Sequence, residues 1–117
     1  IRCIFMEFEQ KDKIKLEKYN EWFGMREDLI IEIKYWEKKY PKKFLMYSKV
    51  YKERRPVKNR RIDEFIVRGI IPPSTDRHYF PDHIYRYLAA IVLKNSGHTS
   101  GQVYKILNGL HINEILN

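Results

Sequence analysis

Between residues 49 and 68 the chain sets cations at spacings that suit a polyanion: Lys49, Lys52, Arg54, Arg55, Lys58, Arg60, Arg61 and Arg68, with Asn59 and Glu64 among them. Their chemistry is recognition, not catalysis. An arginine offers a planar fork that matches guanine or phosphate, a lysine offers a point charge, and a glutamate can accept from cytosine. A second small group, Arg77 and His78, follows Gly69, Pro72 and Pro73. A basic helix, a glycine stop and a short basic loop just beyond it are expected where a helix enters DNA and a loop grips the backbone beside it.

The distribution of charge sharpens this expectation. The net charge is +8, yet residues 1–36 carry seven Lys or Arg against eight Asp or Glu, and residues 62–117 carry five of each. Residues 37–61 carry eleven basic residues against Glu37 and Glu53, so the whole excess lies in one fifth of the chain. Such a focused block is the electrostatic footprint of a nucleic acid, or second of an acidic membrane surface. Catalytic chemistry has little to work with. His78, His83, His98 and His111 lack metal-ligand spacing, Cys3 is the single cysteine, and no glycine-rich phosphate loop is present. Neither a metal nor a cofactor is expected, and the chain is not expected to be an enzyme. His83, next to Asp82 in PDHIY, is expected at the surface, while Ser96 and Ser100 suit helix caps.

The elements that must position these residues follow from periodicity and punctuation. Leu29, Ile33, Trp36 and Tyr40 fall at helical spacing, which predicts a helix over 26–40 stopped by Pro41, with an earlier helix through Leu16, Tyr19 and Phe23 ending at Gly24. A helix over 43–53 is expected to bury Phe44, Tyr47, Val50 and Tyr51, and Pro56 breaks it. Asn59 can cap the next helix, whose stripe is Ile62, Phe65 and Ile66 and whose outer face is Arg60, Glu64, Val67 and Arg68. Gly69 suits the position just past its end. The pair forms a helix-turn-helix candidate. Residues 74–80 read as a loop or small hairpin. A helix beginning at Pro81 buries Ile84, Tyr87, Leu88, Ile91 and Val92, and the Thr99 to Gln102 capping box opens another through Val103, Ile106 and Leu107. A strand at 1–9 and a last element around Ile112, Ile115 and Leu116 are further expectations.

Two gapless blocks of this sequence resemble the winged helix-turn-helix domain of the mercury-resistance regulator (MerR) family. The first is Val57, Ile62, Phe65, Gly69, Ile70, Ile71, Pro72 and Pro73; the second is Arg77, Tyr79, Ile84, Gly97 and Val103. The likeness covers residues 57–107. It implies a mainly helical, winged helix-turn-helix fold, with the helix over 59–68 in the major groove and the wing over 74–80 on the backbone. Tyr79 joins the candidate contacts at the family's wing position. Asp63 stands where the family usually has an arginine, and no counterpart of the family's long dimerisation helix and effector pocket is seen, so no small-molecule effector is expected.

The expected organisation is a helical N-terminal extension over 1–41, with a possible dimerisation role, followed by a winged helix-turn-helix domain over 42–117. The expected function is sequence-specific binding of double-stranded DNA by a small transcriptional regulator. The protein would act as a homodimer, cytoplasmic and nucleoid-associated in a bacterial or phage-like setting. Alternatives are a protein interaction module on the same scaffold, or an accessory DNA-binding factor in recombination or partition. No run of about 18 apolar residues suggests a membrane span.

Overall fold

The computed structural model describes residues 18–108. A single 3-10 turn, Lys18–Glu21, leads into α1 (Arg26–Lys39), a one-turn helix α2 (Pro41–Phe44), strands β1 (Met46–Ser48) and β2 (Glu53–Arg55), then α3 (Asn59–Val67), α4 (Pro81–Asn95) and α5 (Ser100–Leu107). The protein is thus mainly helical with one small antiparallel sheet. The strand expected at 1–9 and the element around Ile112 lie outside the described residues. No helix among the described residues is long and apolar enough to cross a membrane.

The core is built around α4, which is buried nearly all round through His83, Ile84, Tyr85, Tyr87, Leu88, Ala89, Ala90, Ile91 and Leu93. A helix apolar on every side must be covered on every side. Leu29, Ile33 and Trp36 of α1, Phe44 of α2, Ile62 and Phe65 of α3, and Val103 and Leu107 of α5 supply that cover. Residues on both sides of position 41 therefore share one hydrophobic core. Tyr19 belongs to it too: its hydroxyl donates to Glu32 and accepts from Trp36 Nε1. The upstream helix expected through Tyr19 and Phe23 is only the 3-10 turn in the described residues.

Local punctuation at the helix ends matches the sequence. At the end of α3, Gly69 adopts φ 75°, its N–H donates to Ile66 O at 3.0 Å, and Ile70 N–H donates to Phe65 O at 2.9 Å. This pair of bonds is the Schellman closure, and glycine enters the left-handed region without a Cβ penalty. A Cβ at Gly69 would also stand 3.0 Å from the Tyr104 ring. Pro81 opens α4 at its first turn, and Thr99 and Gln102 cap α5 reciprocally at 3.2 and 2.9 Å.

The segment before α3 differs from expectation. Residues 43–53 are not a helix: α2 ends at Phe44, and the chain turns into an antiparallel hairpin pairing Met46 with Arg55, Tyr47 with Arg54 and Ser48 with Glu53. Of the four residues placed on a buried stripe, Phe44 alone is buried; Tyr47, Val50 and Tyr51 are exposed. Tyr47 fits the pleated β1, while Val50 and Tyr51 fall in the turn between the strands, so their helical spacing to Phe44 does not mark a buried face. A strand, not a helix, precedes α3, so the helix-turn-helix pairing expected there is not formed.

Candidate nucleic-acid interface

The outer face of α3 carries Arg60, Asp63, Glu64 and Val67, all exposed, with Arg68 at the C-cap. The stripe Ile62 and Phe65 faces inward, where Phe65 meets Tyr87 with ring centroids 5.6 Å apart. The N-cap is Lys58, in extended backbone and without a side-chain bond, so Asn59 is the first helical residue and not the cap. Glu64 and Arg68 pair with each other at 3.2 Å. Val67 is 86% exposed, a large apolar side chain on an otherwise charged face.

Arg61 corrects the sequence expectation. It lies one helical turn before Phe65, on the inward stripe, and its Nη1 donates to Pro56 O at 3.2 Å and Tyr87 Oη at 3.3 Å. It buttresses Tyr87 and the segment before α3 rather than standing free on the outer face. Tyr79 is a second correction. It is 4% exposed, and its hydroxyl accepts from Arg26 Nε at 2.7 Å, so it anchors the loop from within. His83 is a third, being buried: its Nδ1 accepts the Phe80 N–H at 2.9 Å and its Nε2 faces Pro73 O at 3.4 Å.

The loop over 74–80 closes on a two-residue turn at Asp76 and Arg77. Thr75 and His78 exchange backbone bonds at 3.1 and 2.8 Å, with Asp76 at φ 49° and Arg77 at φ 64° between them. Both positive φ values make it the primed turn that matches strand twist. That geometry suits Asn-Gly; an arginine there is held in a disfavoured conformation with its side chain in solvent. His78 leans on Phe23, with ring centroids 5.8 Å apart.

The hairpin presents the rest of the cations. Lys49 and Lys52 stand exposed in its turn. Arg55 pairs with Glu53 at 2.8 Å and stacks 3.9 Å over Tyr51. Arg54 is exposed but donates to Lys42 O and Leu45 O at 3.0 and 3.1 Å, tying the hairpin to α2. Among the described residues Lys49, Lys52, Lys58, Arg60 and Arg77 have no acidic partner.

Two positioning residues escaped the sequence. Arg26, at the start of α1, bonds Tyr79 Oη, Asp63 Oδ1 at 2.8 Å and the Asn59 side chain at 3.3 Å, joining α1, α3 and the loop. Asn95, at the end of α4, accepts the Tyr47 N–H at 3.0 Å and donates to Lys43 O and Leu45 O, both at 3.1 Å. Neither had a local signal, because each acts across tens of residues. The two arms of Arg26 are unequal. Its bond to the buried Tyr79 is charge-assisted and contributes roughly 1.5–3 kcal/mol, whereas Asp63 is 61% exposed and a solvated pair contributes about 0–1 kcal/mol. Arg26→Met is expected to cost about 2 kcal/mol and Asp63→Ala under about 1 kcal/mol in urea unfolding. Equal losses would contradict the assignment.

No family profile, curated protein or solved structure matches this chain.

Proposed function

We propose that the chain is a double-stranded DNA-binding protein, most simply a small sequence-specific transcriptional regulator. In this reading α3 offers Arg60 and Glu64 to the major groove, while Lys58, the hairpin and the turn bearing Arg77 lie on the flanking backbone. The observation that carries it is the run of exposed cations without acidic partners from the hairpin turn into the first turn of α3: Lys49, Lys52, Lys58 and Arg60. A face kept charged only for solubility mixes both signs, whereas unneutralised cations in one stretch favour a polyanion. The likeness of residues 57–107 to the recognition helix and wing of the MerR-type domain points the same way, although a hairpin stands where that domain has its first helix. Homodimerisation is part of the proposal, since a single small domain rarely reaches high specificity.

The test is enrichment of fragmented host DNA by the purified protein at about 150 mM salt, followed by sequencing, with Arg60→Ala as control. The native protein is expected to enrich a common motif, and the variant to lose preference at one base position, about 1–3 kcal/mol of discrimination. If the native protein enriches nothing, the proposal fails. Val67 then carries the second reading: an apolar side chain 86% exposed on α3 suits a protein partner. Capture of that partner should be abolished by Val67→Asp.

A further inference from the structure

The hairpin has a fixed base and a free tip. Its base is tied to α4 by Asn95, which accepts the Tyr47 N–H of β1 and donates to the Lys43 and Leu45 carbonyls that lead into it, and to α2 and its C-cap by the two bonds of Arg54. No residue over 46–56 is buried. A two-stranded ribbon with such short strands is marginal alone, so these anchors decide where it points.

The tip has the wrong chemistry for an ordinary turn. Residues 49–52 read Lys-Val-Tyr-Lys, although Lys52 sits at φ 53°, where glycine or asparagine is usual. Ser48 Oγ accepts the Tyr51 N–H at 3.3 Å and closes the turn without help from such a residue. Val50 is 83% exposed at its centre, between Lys49 and Lys52. An isolated exposed valine needs no explanation. Here, however, it crowns a basic ribbon whose sides carry Tyr47 and Tyr51, both exposed, with Arg55 stacked on Tyr51 at 3.9 Å.

We infer that this ribbon is a DNA-kinking element, which inserts Val50 between adjacent base pairs from the minor groove while Lys49 and Lys52 hold the phosphates on either side. The inference rests on the DNA-binding reading above. Valine has no hydrogen-bonding group with which to read a base edge, and its single χ1 angle leaves little rotamer entropy to lose on insertion. An apolar side chain flanked by cations is the chemistry that unstacks a base step and bends the duplex. The paired strands from Met46 to Ser48 span roughly 7 Å at ~3.3 Å per residue, and the turn carries Val50 beyond them, a reach on the scale of the ~7.5 Å depth of the minor groove. The occupant is duplex DNA, because four hairpin cations, Lys49, Lys52, Arg54 and Arg55, face only Glu53 as a counter-charge within it.

The experiment follows one duplex of about 25 base pairs in two ways. Anisotropy reads affinity; 2-aminopurine at a central flexible step and energy transfer between labelled ends read unstacking and bending. The native protein should bind, raise the aminopurine emission and shorten the end-to-end distance. Val50→Ser should bind within about threefold of native yet lose both distortion signals, while Lys49→Gln with Lys52→Gln should lose affinity by about tenfold or more. Failure of the native protein to bind any duplex would overturn the DNA-binding reading and this one with it. Binding without distortion, or distortion that survives Val50→Ser, would overturn the wedge alone. Val50 touches no core residue, so a folding defect does not confuse the outcome.

Discussion

Raising monovalent salt from about 50 to about 200 mM is expected to weaken binding to a DNA duplex by roughly 10³. The size of the effect depends on which cations are free to meet phosphate. Arg61 is turned toward Tyr87, Arg55 is paired with Glu53, and Arg68 is paired with Glu64. That leaves Lys49, Lys52, Lys58, Arg60 and Arg77, together with the exposed but backbone-tethered Arg54. Some five to six phosphate contacts give a log–log slope of about −5, and a fourfold rise in salt then costs about 10³. Neutralising any one of Lys49, Lys58 or Arg60 to glutamine should reduce the slope by about 1. Arg61→Gln should leave the slope unchanged, even though the sequence treats it as the twin of Arg60. Asp63→Asn should strengthen binding, because it removes a negative charge from the outer face of α3. Anisotropy titrations across the salt range measure all of these. A native slope shallower than about −2, or equal slope losses for Arg60→Gln and Arg61→Gln, would dismiss this surface as the phosphate-binding one.

The contrast between Arg60 and Arg61 shows what the sequence can and cannot say. Helical geometry alone places Arg61 four residues before Phe65 and so on the buried stripe, although its charge favours the outer face. The ends of α3, α4 and α5 were legible because Gly69, Pro81 and the Thr99–Gln102 pair act within one turn of themselves. The hairpin was not. Its residues carry no strand alternation to compete with the helical spacing of Phe44, Tyr47 and Tyr51, and its turn holds Lys52 in a left-handed conformation without the glycine or asparagine that would announce it. Tyr79 is a candidate contact only through the family's wing position, and His83 is expected at the surface as a polar residue beside Asp82. Polar side chains suggest a surface, and only the partners Phe80, Pro73 and Arg26, assembled by the fold, make their burial tolerable. Of the candidate contacts, Lys49, Lys52, Arg54, Lys58, Asn59, Arg60, Glu64, Arg68 and Arg77 are exposed, Arg55 and His78 are half-buried, and Arg61 and Tyr79 serve the interior.

Two buried titrating groups should act on the stability of the native protein with opposite signs as pH changes. Glu37 is 3% exposed, and its carboxylate accepts the Val57 N–H at 2.8 Å. Burial pushes it up to about 7 from 4.5, against the pull of the Val57 N–H, Arg61 and Lys34. A carboxyl whose folded value lies above its unfolded one contributes most stability when protonated, so the contribution is full below 4.5 and is lost as pH rises to about 7. His83 behaves in reverse. Burial holds its imidazole below the ordinary 6.5, so its contribution is full above 6.5 and is lost as pH falls toward the folded value. Protonation at Nδ1 would also set one N–H against the Phe80 N–H that it now accepts. Between 4.5 and 6.5 the two contributions change with pH in opposite directions. Glu37→Gln keeps an acceptor for Val57 and removes one of them, so its stability relative to native should rise by on the order of 2 kcal/mol between about pH 5 and pH 7.5. His83→Asn should move the other way: its stability relative to native should fall as pH rises to 6.5, the native protein alone gaining the histidine contribution. Urea midpoints of the three proteins across that range decide the matter, with the differences from native cancelling every other carboxylate. Difference curves that are flat for both variants would mean that neither group changes its proton affinity on folding. A fall for Glu37→Gln would mean that Arg61 and the Val57 N–H outweigh burial, making the inward arginine a partner of the carboxylate first and a support for Tyr87 second.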